Sequence, residues 1–301
     1  MSDLVPIFID ILLPVFLLVG VGFVLGPRLE IDARSFARSA YYVFAPAFIF
    51  RILSNADLEA DIVMKVVGTL ALTSFGVGLA AFLVGRAFRR PAKVTAALIL
   101  VAVYGNVGNF GLPVIAFAFG EDALPLAGVA FLTVNALAFL IGVTAATWHQ
   151  SSPLQAVGIA LRTPALLVVV PAILVNAGDI SLPLFAERSI GLLADAMIPV
   201  MLMTLGIQLA AMGRPQIGLD VALGSGLRLL LAPAVTAGLV LVFGLDGNAA
   251  GITIAQSAMP AAVFTSIIAI EHDLMPELVT TTVLFTTLAS ALTLTAVLLI
   301  V

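Results

Sequence analysis

The sequence predicts an all-α integral membrane protein, with ten transmembrane helices arranged as a 5+5 inverted repeat and helices four and nine broken near mid-membrane. Three observations carry this. First, of 301 residues 62% are hydrophobic and 10% charged, with a mean hydropathy of +1.22; a soluble domain carries about 25% charged residues. Second, the apolar runs, such as 166–175 and 227–243, do not alternate with polar residues, whereas barrel strands alternate over segments of about 10 residues. Third, two polar, helix-breaking stretches interrupt apolar runs at matching places in the two halves. They are Gly105-Asn106-Val107-Gly108-Asn109-Phe110-Gly111-Leu112-Pro113 and Gln256-Ser257-Ala258-Met259-Pro260-Ala261-Ala262-Val263-Phe264-Thr265.

A spanning helix needs about 20 apolar residues. Cutting the chain at charged and Gly/Pro-rich breaks gives spans at 5–26, 34–54, 62–87, 94–119, 122–148, 154–176, 187–212, 218–243, 247–270 and 276–300. The first follows Asp3 and contains Asp10. It has no basic leader and no small-residue cleavage site, so it reads as a retained helix and not a signal peptide. Its Gly22-Phe23-Val24-Leu25-Gly26 has the spacing of close helix packing or a dimer face. The second carries Ala45-Pro46-Ala47, and the third runs from Lys65 to a basic turn. The fourth holds the first break, and the fifth carries Asn135. A polar link at 150–154, containing Ser151, Ser152 and Pro153, divides the chain into repeats 1–150 and 151–301. After the sixth, the seventh carries Asp195 and Ile198-Pro199-Val200, and the eighth contains Arg228. The ninth holds the second break, and the tenth ends the sequence. The connections are short, leaving no room for an inserted soluble domain.

Pro113 and Pro260 stand 147 residues apart, and Pro46 and Pro199 stand 153 apart. Helix four therefore matches nine, and two matches seven. Five is an odd number, so the second repeat enters the membrane from the opposite side, related to the first by a pseudo-two-fold axis in the membrane plane. Loops after odd-numbered helices hold Arg28, Arg34, Arg38, Arg86, Arg89, Arg90, Lys93, Arg162 and Arg214; those after even-numbered helices hold Arg51, Lys65 and Arg188. This nine-to-three bias places the odd loops in the cytoplasm and both termini outside the cell membrane.

Proline lacks an N–H and clashes with the preceding turn, so Pro113 and Pro260 are expected to end one half-helix and open the next. The freed backbone must be satisfied by side chains, water or a ligand. Asn106, Asn109, Gln256, Ser257 and Thr265 are at hand, and Gly111 allows close approach of another chain. In an inverted repeat the two half-helix N-termini point at one central place. Unpaired N–H groups and the positive dipole ends there form an anion site. Amides in place of carboxylates shift the expected ligand from a cation to an organic anion.

The two breaks, together with Phe44-Ala45-Pro46-Ala47-Phe48-Ile49-Phe50, resemble the auxin efflux carrier family, within the wider bile/arsenite/riboflavin transporter group. The likeness covers essentially the whole chain. The long central loop of the plant PIN carriers is absent, as in bacterial members described as malate or malonate permeases. The resemblance implies a scaffold of helices 1, 2, 6 and 7, an elevator-like transport domain of helices 3–5 and 8–10, and a homodimer. By motif position it implies Asn106, Asn109 and Pro113 at the first break and Gln256, Ser257 and Pro260 at the second. Ser54, matching a polar position of the plant carriers, and Asn135 would lie near the pocket. Without a ligand role, Asn135 would be a helix–helix hydrogen bonder and Ser54 a helix-end hydroxyl.

Arg228 lies deep in the eighth span, where a charge is costly. It could pair with Asp195, attract an anionic substrate or snorkel to an interface. The expected function is secondary transport of a small carboxylate, such as malate, malonate or an auxin-like indole acid; Phe110, Phe117 and Phe264 could wall a pocket for the last. A sodium-coupled bile-acid-like symporter, a non-transporting receptor for the same anion and a channel stay open as alternatives. The coupling ion, H+ or Na+, is left open; a sodium site could use carbonyls with Gln256, Ser257 and Asn135. An enzyme is not expected. Cysteine is absent and the two histidines, His149 and His272, fall at loops or span ends, so no metal site, no cofactor and no nucleophile–base pair is expected, nor is there a phosphate-binding loop. The net charge of −4 provides no basic patch for nucleic acid.

Overall fold

The computed structural model describes residues 4–138, 140–141, 163–212 and 215–301. The polar link at 150–154, with Asp3, His149, Arg162 and Arg214, lies outside the described residues. Among the described residues the chain is helical, with a single isolated antiparallel bridge.

Helix α1 spans Ile7–Arg28. Asp32 then caps α2, accepting from the amides of Arg34 and Ser35 at 3.2 and 3.0 Å. Helix α2 runs through Ala33–Ser39, Ala40–Phe44 and Ala45–Ser54. Next come α3 (Ala60–Ala87), α4 (Ala92–Val103), α5 (Val107–Phe119) and α6 (Glu121–Ala138). The second half contains α7 (Pro164–Ala177), α8 (Leu184–Ala210), α9 (Leu219–Phe243), α10 (Gly247–Ser257), α11 (Phe264–Glu271) and α12 (Pro276–Ile300). Six of these, α1, α3, α6, α8, α9 and α12, are each long and apolar enough to cross a bilayer.

The helices are apolar outside and carry their hydroxyls inside. On α3, Leu72, Phe75, Leu79 and Leu83 form an exposed stripe, while Thr69, Thr73, Val77 and Ala81 are buried. On α12 the buried Thr282, Thr286, Thr287 and Ser290 donate to carbonyls three or four residues back. Such back-bonding satisfies a hydroxyl within its own helix. Thr73 and Thr236 join α3 to α9 across 3.0 Å.

Helix α8 packs most extensively on α1, and also on α2, which in turn holds α7. The Gly22–Gly26 pair is the α1 half of this seam. A Cβ on Gly22 would come within 2.2 Å of the Met203 carbonyl oxygen, and one on Gly206 within 2.0 Å of that of Val19. The motif thus serves close packing within the chain. Helix α3 packs on α4, α6 and α9; α9 packs on α10 and α12; α11 packs on α12.

Four prolines, Pro14, Pro46, Pro113 and Pro233, share one local device. Each stands second after a widened helical turn: Ile7–Leu12, Ala40–Phe44, Val107–Gly111 and Leu227–Leu231. Widening the turn gives the proline ring room against the carbonyl it would otherwise strike. Pro113 therefore lies inside α5 and does not open it. The chain leaves the helix at Tyr104–Asn106, where two glycine and asparagine neighbours permit it, and helix resumes at Val107. Pro260 does sit in its break, but α11 begins only at Phe264.

Candidate functional site

The two breaks meet. Gly105 and Ala261 form the antiparallel bridge, with the Asn106 amide donating to the Pro260 carbonyl at 2.7 Å and the Ala262 amide to that of Tyr104 at 2.8 Å. The Ala261 amide donates to the Thr286 hydroxyl of α12 at 3.1 Å. Backbone released from two helices is thus largely repaid by the opposite break, the condition for irregular chain at membrane depth.

Beside the bridge lies a cavity of about 70 Å³, lined among others by Tyr104, Asn106, Asn109, Phe131, Asn135 and Phe264. Both helix starts face it: Gly108 and Asn109 belong to the first turn of α5, and Val263 and Phe264 to the start of α11. First-turn N–H groups lack intrahelical acceptors, so the cavity is bordered by two positive helix ends. Asn135 is oriented by donating to the Phe131 carbonyl at 2.8 Å and accepting from the Tyr104 hydroxyl at 2.9 Å. The Tyr104 and Phe264 rings lie 5.9 Å apart. The buried Asn106 side chain has no hydrogen-bond partner for its Nδ2 among the described residues. A donor this deep without an acceptor is costly, and it stands at the cavity wall.

Of the expected residues, the structure brings Asn106, Asn109 and Asn135 together at this cavity. Gln256 is fully buried against α5, where Gly111 has no room for a side chain: a Cβ there would lie 2.4 Å from Gln256 Oε1. Among the described residues neither polar atom of that amide has a hydrogen-bond partner. The Ser257 hydroxyl donates to the Ile254 carbonyl at 2.7 Å and that of Thr265 to Ala262 at 2.7 Å. Ser54 does not reach the cavity. It ends α2, bonded locally to the Arg51 carbonyl, and Asn176 of α7 donates to its own carbonyl at 3.1 Å. Of the three phenylalanines, Phe264 lines the cavity, Phe110 is buried against Phe16, and Phe117 is exposed.

The Arg228–Asp195 pair is corrected. Asp195 pairs with Arg51 at 2.5 Å, joining α8 to α2. Arg228, 4% exposed, turns to backbone carbonyls instead: Nε donates to Met259 at 2.9 Å, Nη1 to Ala102 at 2.9 Å and Val103 at 3.3 Å, and Nη2 to Ser257. Ala102, Val103 and Ser257 end α4 and α10 and Met259 follows just beyond, so the attraction is chiefly to two negative helix ends and needs no carboxylate. Sequence reasoning also missed Tyr104 and Phe131. Tyr104 had a signal, an amphipathic ring abutting the glycine–asparagine stretch; Phe131 had none.

Asparagine amides, aromatic rings and two helix starts thus line one cavity together. Comparison with known proteins agrees with a transport role. The family model described as "Membrane transport protein" matches residues 7–151 and 135–298. A Methanothermobacter thermautotrophicus protein, an uncharacterized transporter, is 29% identical over 296 residues, 95% of each chain. A candidate malonate transporter of Rhizobium meliloti is 27% identical over 273 residues, covering 85% of this chain and 83% of its own. Auxin efflux carrier component 3a of Oryza sativa subsp. japonica is 32% identical over 110 residues, 35% of this chain and 18% of its own. The chain belongs to the membrane transport protein family. It is a multi-pass membrane transporter and not an enzyme, and the resemblance to the auxin efflux carriers holds.

Proposed function

We propose that this chain is a secondary transporter of a small organic anion, a carboxylate of the malonate, malate or indole-acid kind, working by elevator-type alternating access. The observation that carries the reading is the cavity where α5 and α11 both begin. Two positive helix ends with the Asn106, Asn109 and Asn135 amides suit a carboxylate, and none of the residues lining the cavity carries a fixed charge that would hold it so tightly that release fails. The malonate assignment of the Rhizobium meliloti relative supports the substrate class.

Counting α4–α5 and α10–α11 as one crossing each gives ten crossings in a 5+5 inverted repeat. The ion pairs suit that count. Arg90 meets Asp220 at 2.8 Å and Lys93 meets Asp273 at 2.6 Å, and all four residues fall at the end assigned to the cytoplasm, with both termini at the other. The mutual packing of α1, α2, α7 and α8 supports a scaffold, against which the set α3–α6 and α9–α12 would move. The plasma membrane and a homodimer are part of this reading.

Counterflow in proteoliposomes tests it: preloaded malonate, malate or indole-3-acetate should drive uptake of the labelled anion. No exchange of any bound carboxylate would sink the carrier and leave a receptor. Asn109→Ala should weaken carboxylate binding in monodisperse protein; unchanged affinity would remove Asn109 from the site.

A further inference from the structure

The acceptors of Arg228 form a cluster with a chemistry of its own. Carbonyls of Ala102 and Val103 end α4, that of Ser257 ends α10, and that of Met259 follows one residue after a turn. Each helix end carries about half a negative charge, so two converging ends present about one, the complement of a single monovalent cation. Converging carbonyls at unwound or terminal helix backbone are also where transporters with broken helices coordinate a driving cation. Here the guanidinium already fills that place. Four of its five N–H donors are used on the four carbonyls. Among the described residues no carboxylate pairs with it. Its plane lies so close to the first break that a Cβ on Gly105 would come within 3.0 Å of Cζ. That close approach is a reason for glycine at 105. A space of about 10 Å³ beside it is bordered by Thr73, Ser74 and Ser257 among others.

The geometry points to a monovalent-cation site between the C-terminal ends of α4 and α10 that is permanently occupied by the chain's own Arg228, a tethered substitute for a coupling ion. It rests on the carrier reading for its meaning: with the cation built in, substrate binding at the opposite, positive helix ends needs no sodium. The tethered charge holds the two breaks together whatever salt is present, and no coupling cation has to be loaded or released there.

The test reads thermal stability of purified full-length protein in chloride salts of sodium, potassium, choline and low-millimolar guanidinium, at equal ionic strength. Wild type should melt at one temperature in all four. Arg228→Ala should melt lower in choline and recover by several degrees, saturably, in sodium, potassium or guanidinium. Arg228→Lys, which keeps a compact cation, should stay insensitive to the salt. Arg228→Gln, a smaller lesion, carries the same measurement if the alanine variant does not fold. A wild-type protein stabilised saturably by sodium would overturn the proposal. So would neutral variants that melt equally low in every salt, since that is the behaviour of a purely structural arginine. Melting does not depend on transport, so failure here is distinct from absent counterflow in wild type, which would remove the carrier reading instead.

Discussion

Replacing Gly206 by alanine tests the α1–α8 seam with one methyl group. A Cβ at 206 would stand 2.0 Å from the Val19 carbonyl oxygen, 2.6 Å from the Phe23 nitrogen and 2.9 Å from the Val19 carbonyl carbon. All three are backbone atoms, so no side chain can swing aside. Restoring ordinary contact requires α1 to retreat by about 1.4 Å, which loosens packing along the seam. Overpacking of this kind costs about 1–3 kcal/mol, and backbone opposition puts it near about 3 kcal/mol. Against this, alanine in a helix interior gains about 1 kcal/mol over glycine, leaving a net loss of about 2 kcal/mol. Gly191 of the same helix is the matched control, since among the described residues nothing lies within 4 Å of its Cβ position; there alanine should gain about 1 kcal/mol. At about 2–4 °C per kcal/mol, the two variants should separate by roughly 6–12 °C in melting temperature in detergent. Gly206→Ala melting at or above wild type would refute the seam as described.

Tyr104→Phe removes the donor that orients Asn135. A loss of about 1 kcal/mol, roughly fivefold in carboxylate affinity, should follow; a calorimetric titration with unchanged affinity would dismiss that role. In a double-mutant cycle, Arg51→Gln and Asp195→Asn should show favourable coupling in thermal stability, because the two side chains pair across α2 and α8; additive effects would break the pair. The Ser35 hydroxyl, then the amides of Arg34 and Ser35, hold the Asp32 carboxyl below the usual carboxylate range. Its folded pKa is thus the lower one, and its stabilisation is present above the unfolded pKa and lost as pH falls through the folded value. Melting curves of wild type and Asp32→Ala should differ at neutral pH and converge in acid; a constant difference would count against the cap.

What the sequence made legible was the chemistry of the breaks, and what it hid was their partners. Glycine, asparagine and proline at 105–113, and Gln256, Ser257 and Pro260 within 256–265, mark where helix cannot run on, and both stretches do contain a break. Pro113 misled because proline has two remedies. It can end a helix, or the preceding turn can widen, and the widened turn Val107–Gly111 is invisible in residue types. Gly22–Gly26 announced a close contact but not its other half, since Gly206 with Ala210 is one of many small-residue pairs in a chain with 25 glycines. Ser54 was placed by likeness of position alone, and the helix-end bonds it makes were the plainer physical option.

Arg228 is the sharpest case, because the sequence suggested searching for a carboxylate. Nothing in residue identities encodes a carbonyl as a counter-ion, yet the breaks themselves imply one. A helix stopped at Val103 or Ser257 leaves its last carbonyls unpaired just where water is scarce, and a buried cation with several donors is what such ends require. The same interruption leaves N–H groups at the start of α5 and α11. Each broken helix therefore creates a negative end and a positive end a few residues apart, and the antiparallel bridge stacks like with like. The negative ends close on Arg228. The positive ends are left facing a cavity with three asparagines, Asn106 still holding a donor unused among the described residues. An anionic ligand would complete there what the guanidinium completes on the other side, which is why substrate selectivity should follow the asparagines while cation dependence should follow residue 228.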